Sequence, residues 1–119
     1  RRRTLAARYH AALAGHPRII VPYEPAWARS NWQSYAVRLR DADQRTVMQR
    51  MLDDGVATRR GVMNAHLEAA YPQGTWRAAG PLTRSEEAQA TAIVLPLFHQ
   101  MTDDEQERVV TSLTCAVAA

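Results

Sequence analysis

The sequence predicts an α+β fold: a small, mainly antiparallel sheet with helices packed on one face, in two layers. Three observations point to it. The stretch NWQSYAVRL (31–39) places Tyr35, Val37 and Leu39 on one face at every second residue, as a half-buried strand does. Two other stretches, 41–55 and 102–114, each carry a single apolar stripe at helical spacing, as elements covering one side of a sheet do. The chain has 119 residues, enough for one modest core and too few for two ordinary domains.

The elements follow in order. RRRTLAARYHAALAG reads as a helix already in progress, with Leu5, Ala6, Tyr9 and Leu13 at helical spacing and Gly15 and Pro17 as its stop. A chain that opens inside a helix, at Arg1 and without Met, is expected to be a piece of something longer. IIVPYEP (19–25) is β-prone, but its two prolines confine it to a sheet edge or an extended connection. In 31–39, Trp32, Ser34, Ala36 and Arg38 share one face and Gln33, Tyr35, Val37 and Leu39 the other. The Tyr35/Val37/Leu39 face is expected inward; Asn31 and Trp32 precede the strand core, within reach of a domain junction, and Trp32 is expected to pack. DADQRTVMQRMLDDG (41–55) is a helix capped by Asp41 with Gln44, or by Asp43. Val47, Met48, Met51 and Leu52 form its stripe, and Gly55 ends it. VATRR (56–60) returns as a second short strand.

From 62 to 81 no periodicity is sustained. A short helix over 65–71 is followed by a loop holding Pro72, Gly74, Gly80 and Pro81. Thr83 and Glu86 have capping-box spacing ahead of the helical SEEAQATA. IVLPLF (93–98) is extended and broken by Pro96, which suits a sheet edge or a pocket wall. Thr102 and Glu105 form a second capping box. Gln106, Val109, Val110 and Leu113 line the inner face of that last helix, and Asp103, Asp104 and Glu105 sit at the positive end of its dipole.

Composition excludes several classes. An apolar share of 46% with 23% charged residues belongs to a globular chain, and no apolar run is long enough to cross a bilayer, so no membrane role is expected. The lone cysteine, Cys115, allows no internal disulfide and suits a reducing cytoplasm, where the protein is expected to reside. A formal charge of only +3, with acids between the arginines and no stacking-aromatic motif, argues against a nucleic-acid partner. All 15 basic residues are arginine. Without lysine, no side chain can form a Schiff base with an aldehyde cofactor or a carbonyl substrate.

The stretch richest in chemistry is ATRRGVMNAHLEAAYP (57–72), with two arginines, an isolated histidine and a Tyr-Pro end, but no nucleophile, paired carboxylates or metal-ligand spacing. Arg59 and Arg60 on a short strand point to opposite faces, so at most one lines a given pocket. His10 and His16 read as surface positions, and His99 and Gln100 as loop residues.

Taken in order, the opening helix, the proline-rich connection, NWQSYAVRL, MQRMLDDGVATRRGVMNAHLEAAYP and LTRSEEAQATAIVLPLFHQMTDDEQERVVTSL resemble the C-terminal domain of the DegT/DnrJ/StrS-type sugar aminotransferases. These are pyridoxal-phosphate (PLP) enzymes of the aspartate-aminotransferase fold, fold type I. The resemblance runs from the first helix to Leu113. It is firmest in the Gly-Val-x-Thr-Arg run at 55–59, the spacing of His66 to Tyr71 and Pro72, and LPLF followed by MTDDEQ. It implies that 1–119 is the small C-terminal domain, with 1–14 the end of a connecting helix, and that the large N-terminal PLP-binding domain is absent. The parent would move an amino group from glutamate or glutamine to a keto-sugar, of nucleotide-sugar or aminocyclitol type, as a homodimer. Thr58, Arg59 and His66 match family positions, while Arg60, Gly61, Val62, Met63 and Asn64 replace its usual aromatic and proline residues. Arg59, Arg60, Asn64 and His66 are thereby implied to face the substrate, whose diphosphate suits guanidinium forks. No catalytic, cofactor-binding or metal-binding residue is implied here. The isolated chain is expected to bind no PLP and to be inactive. The alternatives are a stand-alone structural or interaction domain derived from this fold and, with less support, an arginine-rich nucleic-acid-binding module.

Overall fold

In the computed structural model, which describes residues 1–118, the opening apolar stripe forms helix α1 (Arg2–Leu13) and buries Leu5, Ala6, Tyr9 and Leu13. Gly15 ends it with φ +86°, a left-handed conformation that favours glycine. The chain continues through β1 (Ile19–Ile20), β2 (Tyr35–Leu39), α2 (Gln44–Asp53), β3 (Arg59–Arg60), a 3₁₀ turn (Ala65–Leu67), α3 (Thr83–Thr91), β4 (Ala92–Leu95) and α4 (Asp103–Ala118).

The strands form one sheet in the order β1-β2-β4-β3, and every neighbouring pair is antiparallel. The register places Tyr35 opposite Leu95 and Val37 opposite Ile93. These side chains therefore share one face and, with Ile19 and Leu39, form the sheet's half of a single core. Leu5, Tyr9 and Leu13 of α1, Val47 and Met51 of α2, and Val109, Leu113 and Val117 of α4 supply the other half. The two predicted layers are both present. α3 contributes no buried residue; it runs straight into β4 and is reached by Arg38, from the outward side of β2, through Glu87 at 3.7 Å.

Several expectations are corrected. The strand over 31–39 begins only at Tyr35, because Trp32 has φ +52° and Ser30 and Asn31 accept hydrogen bonds from the backbone two residues on. Trp32 still packs, its ring 5.6 Å from that of Tyr35. Leu52 is 54% exposed, since Val47 and Met51 complete the buried side of α2 with Met48 at its margin. β4 is interior, not an edge: Pro96 comes just after the last paired residue, so its missing N–H costs the ladder nothing. The Pro96 carbonyl accepts from the Tyr9 hydroxyl at 2.7 Å. The strand at 56–60 shrinks to Arg59–Arg60, and the helix at 65–71 to one 3₁₀ turn.

The helix ends follow local chemistry. Asp43 caps α2 by accepting from the Thr46 amide at 2.7 Å. At its other end Gly55 N–H donates to Leu52 and Val56 N–H to Met51, a Schellman closure with Val56 buried. The box at Thr102 and Glu105 forms in both directions: the Glu105 carboxylate accepts from Thr102 N at 2.7 Å, and Thr102 Oγ1 accepts from Glu105 N at 3.2 Å. The box at Thr83 and Glu86 does not form; α3 starts without a side-chain cap.

Candidate functional site

The candidate residues sit where the chain leaves the sheet. β3 pairs with β4 alone, Arg59 opposite Val94 and Arg60 opposite Ile93, so its outer edge is open. Gly61 directs the departure. Its amide donates to the Ala92 carbonyl at 3.1 Å, and a Cβ on it would lie 2.8 Å from the Ala92 methyl. The Ala92 carbonyl also accepts from the buried Gln44 side chain, which ties the start of α2 to the same point and to the Gln89 carbonyl at 3.0 Å.

Both arginines are exposed, and alternation along β3 separates them. Arg60 lines a cavity of about 510 Å³ with Arg45, Met48, Gln49 and Leu52 of α2. Arg59 lines a depression of about 130 Å³ with Gln33, Ser34, Pro96 and Leu97. Thr58 borders both, and its buried hydroxyl has no hydrogen-bond partner among the described residues. The expectation that the two arginines serve different faces holds, but each face has its own hollow.

Asn64 and His66 lie elsewhere, clamped to α3. The Asn64 amide donates to the Gln89 side chain, and Asn64 Nδ2 donates to the Ser85 carbonyl at 2.9 Å. His66 Nε2 is 2.9 Å from Glu86 Oε1, and its ring lies against the Trp76 indole with centroids 4.9 Å apart. Ser85, Glu86 and Gln89 fall on one side of α3 by helical spacing. The four implied residues therefore form two groups along one continuous stretch, two on the sheet edge and two on the α3 clamp, and neither hollow beside the arginines is lined by Asn64 or His66. Glu86, Gln89 and Trp76 were not singled out from the sequence as site residues. Glu86 lies 20 positions from its partner, and the only local signal it carried was a capping spacing that is not used.

These residues do not by themselves fit PLP. The aldehyde requires a primary amine, and the side chains of this sequence offer guanidinium groups only, which stay protonated. The segment 57–72 has one glycine with which to cradle a phosphate. Among the described residues no group of three or more His, Cys, Asp or Glu side chains is placed to hold a metal ion, and no helix is long and apolar enough to cross a membrane.

An antiparallel four-stranded sheet backed by helices is an architecture that solved aminotransferases share over nearly the whole of this chain. The chain belongs to the DegT/DnrJ/EryC1/StrS aminotransferase family, whose sequence profile it matches over residues 1–114. The aminotransferase TlmJ from Streptoalloteichus hindustanus is 28% identical, with a TM-score of 0.84 over 98% of this chain and 31% of that one. DesV from S. venezuelae, solved in complex with a ketimine intermediate, is 26% identical, with a TM-score of 0.84 over 98% of this chain and 31% of its own. Spr1654 from Streptococcus pneumoniae, described as a sugar aminotransferase and solved in its PMP form, shares the fold at 20% identity. Its TM-score is 0.81, over 98% of this chain and 30% of that one. The chain thus spans about a third of the length of these neighbours, and the matched stretch is a C-terminal part of theirs.

Proposed function

We propose that residues 1–119 are the small C-terminal domain of a PLP-dependent aminotransferase that transfers an amino group to a keto-sugar, with 1–14 the end of the connecting helix. The observation that carries this reading is the coverage: 98% of this chain corresponds to 31% of an aminotransferase 28% identical to it. The large domain would hold PLP, which when bound would supply the amino-transfer chemistry. This chain forms one wall of the cleft and is not catalytic alone, in keeping with its lack of lysine. Tyr23, Trp27 and Val62, exposed by 84%, 89% and 91%, support a domain built to be covered by other protein. The parent is a cytoplasmic homodimer that takes its amino group from glutamate or glutamine.

Within that wall the arginines and the clamp do different work. The Arg59 and Arg60 guanidinium groups, on the open edge and free of acidic partners within bridging distance among the described residues, suit the phosphates of a nucleotide sugar. Asn64 and His66 approach the sugar. The test is His66→Ala in the full-length enzyme, with the two half-reactions followed separately in single turnovers. PLP affinity and the donor half-reaction should be unchanged, and the sugar half-reaction should weaken. Arg59→Ala and Arg60→Ala should differ from each other, because the strand turns them to opposite faces. Loss of PLP from the His66 variant with the sugar half-reaction intact would place His66 on the cofactor side and overturn the assignment.

A further inference from the structure

His66 has a committed partner before any ligand arrives. Its Nε2 lies 2.9 Å from Glu86 Oε1, its side chain is only 11% exposed, and the Trp76 ring sits against it. The backbone carrying it is pinned separately, by the two hydrogen bonds of Asn64 to Gln89 and Ser85. A carboxylate only accepts hydrogen bonds, so the Glu86 contact places a proton on Nε2, and the neutral form of the ring that this contact selects has its lone pair at Nδ1. No described residue hydrogen-bonds to Nδ1.

We propose that Glu86 is a positioning residue for His66, and that together they present Nδ1 as an acceptor for a sugar hydroxyl, with Trp76 setting the plane of the ring. This rests on the reading of His66 as substrate-facing and narrows it. A phosphate oxygen is itself an acceptor and gains nothing from a lone pair, so the diphosphate belongs to the arginine edge and a neutral hydroxyl to the clamp. The division follows the two groups into which the structure separates the four residues. Glu86 sits in the first turn of α3 without capping it, which leaves its carboxylate for this pairing.

The experiment uses the full-length, PLP-loaded enzyme with ¹⁵N-labelled histidine. Imidazole ¹⁵N shifts distinguish the tautomers directly, and the response of Nδ1 to a sugar is a readout that a merely structural contact does not give. In spectra taken at a pH where the imidazole is neutral, wild-type His66 is expected as the single Nε2–H tautomer, and Glu86→Gln as a mixture, since an amide can donate as well as accept. UDP-glucose or TDP-glucose should move the Nδ1 resonance, while UDP and TDP alone should not. Glu86→Gln should weaken the sugar nucleotide about tenfold and leave the nucleoside diphosphates unaffected. An Nδ1–H tautomer in the wild type overturns the proposal, as does an Nδ1 resonance indifferent to both sugar nucleotides or moved equally by the diphosphates. The two readings fail separately. An enzyme that aminates no keto-sugar sinks the proposed function, whereas the tautomer and its dependence on Glu86 are settled by the spectra alone.

Discussion

Gly61 shows how one missing side chain sets the path of the candidate wall. Its backbone is held to β4 by the bond to the Ala92 carbonyl, and the space a Cβ would need is filled by the Ala92 methyl, 2.8 Å away. That methyl is short and belongs to a buried strand residue, so it cannot swing aside. Gly61→Ala should cost roughly 1–3 kcal/mol through overpacking, measured by urea denaturation. A loss below about half a kcal/mol would mean that β3 can part from β4 at no cost. At this scale the sequence was legible for residue types and nearly silent about partners. Arg59, Arg60, Asn64 and His66 could be picked out within one short run. Glu86, Gln89 and Trp76 could not, because they meet that run only across a segment without periodicity.

At the scale of elements the helix caps make the clearest case. Hydrogen bonds from Thr46, its side chain first and then its amide, hold the Asp43 carboxyl below the usual carboxylate range. Those from Thr102, amide first and then hydroxyl, do the same for Glu105. Each group has a lower pKa folded than unfolded, so in acid the unfolded state binds more protons. The stabilisation is therefore present above the ordinary carboxylate pKa and is lost as pH falls through the folded values. Urea midpoints measured from pH 6 down to pH 3 should fall, and the fall should be shallower in the Asp43→Asn/Glu105→Gln double variant, where neither cap titrates. Identical slopes would assign the acid response to other carboxylates. The two capping boxes read from the sequence had the same spacing, yet only the one at Thr102 forms. Thr102 and Glu105 answer each other locally, while Thr83 falls inside α3 with Leu82 at the cap position, and Glu86 pairs with a histidine from another segment.

The whole molecule is organised around one core, to which α1, α2, α4 and three of the four strands contribute. Its two inner tyrosines lie inside that core: burial pushes the Tyr35 hydroxyl up to about 12, and burial, with the Tyr35 hydroxyl as a second cause, raises that of Tyr9. The reactive amine of a PLP enzyme has no counterpart here. Mixed with PLP and reduced with borohydride, the 119-residue chain is expected to carry no adduct on any internal side chain. The α-amino group of Arg1 is the one amine that can react, so peptide mapping by mass spectrometry must locate any label. A reduced adduct on an internal residue would show chemistry that the sequence does not contain.

What the sequence determined by itself was everything set by spacing along a few turns: the buried faces of α1, β2 and α4, the glycine stops at Gly15 and Gly55, the Thr102 cap, the α+β class and, through runs kept in order, the family. Such features depend on neighbours within about four residues, and the identities of those neighbours are written side by side. The tertiary structure alone decided the strand order, which placed β4 inside the sheet although its proline suggested an edge. It also decided the exposure of Leu52, the separation of the arginine edge from the α3 clamp, and the choice of Glu86 as the partner of His66. Each of these turns on which distant segments meet. That choice is made by the collective burial of one core, to which no local stretch holds the key.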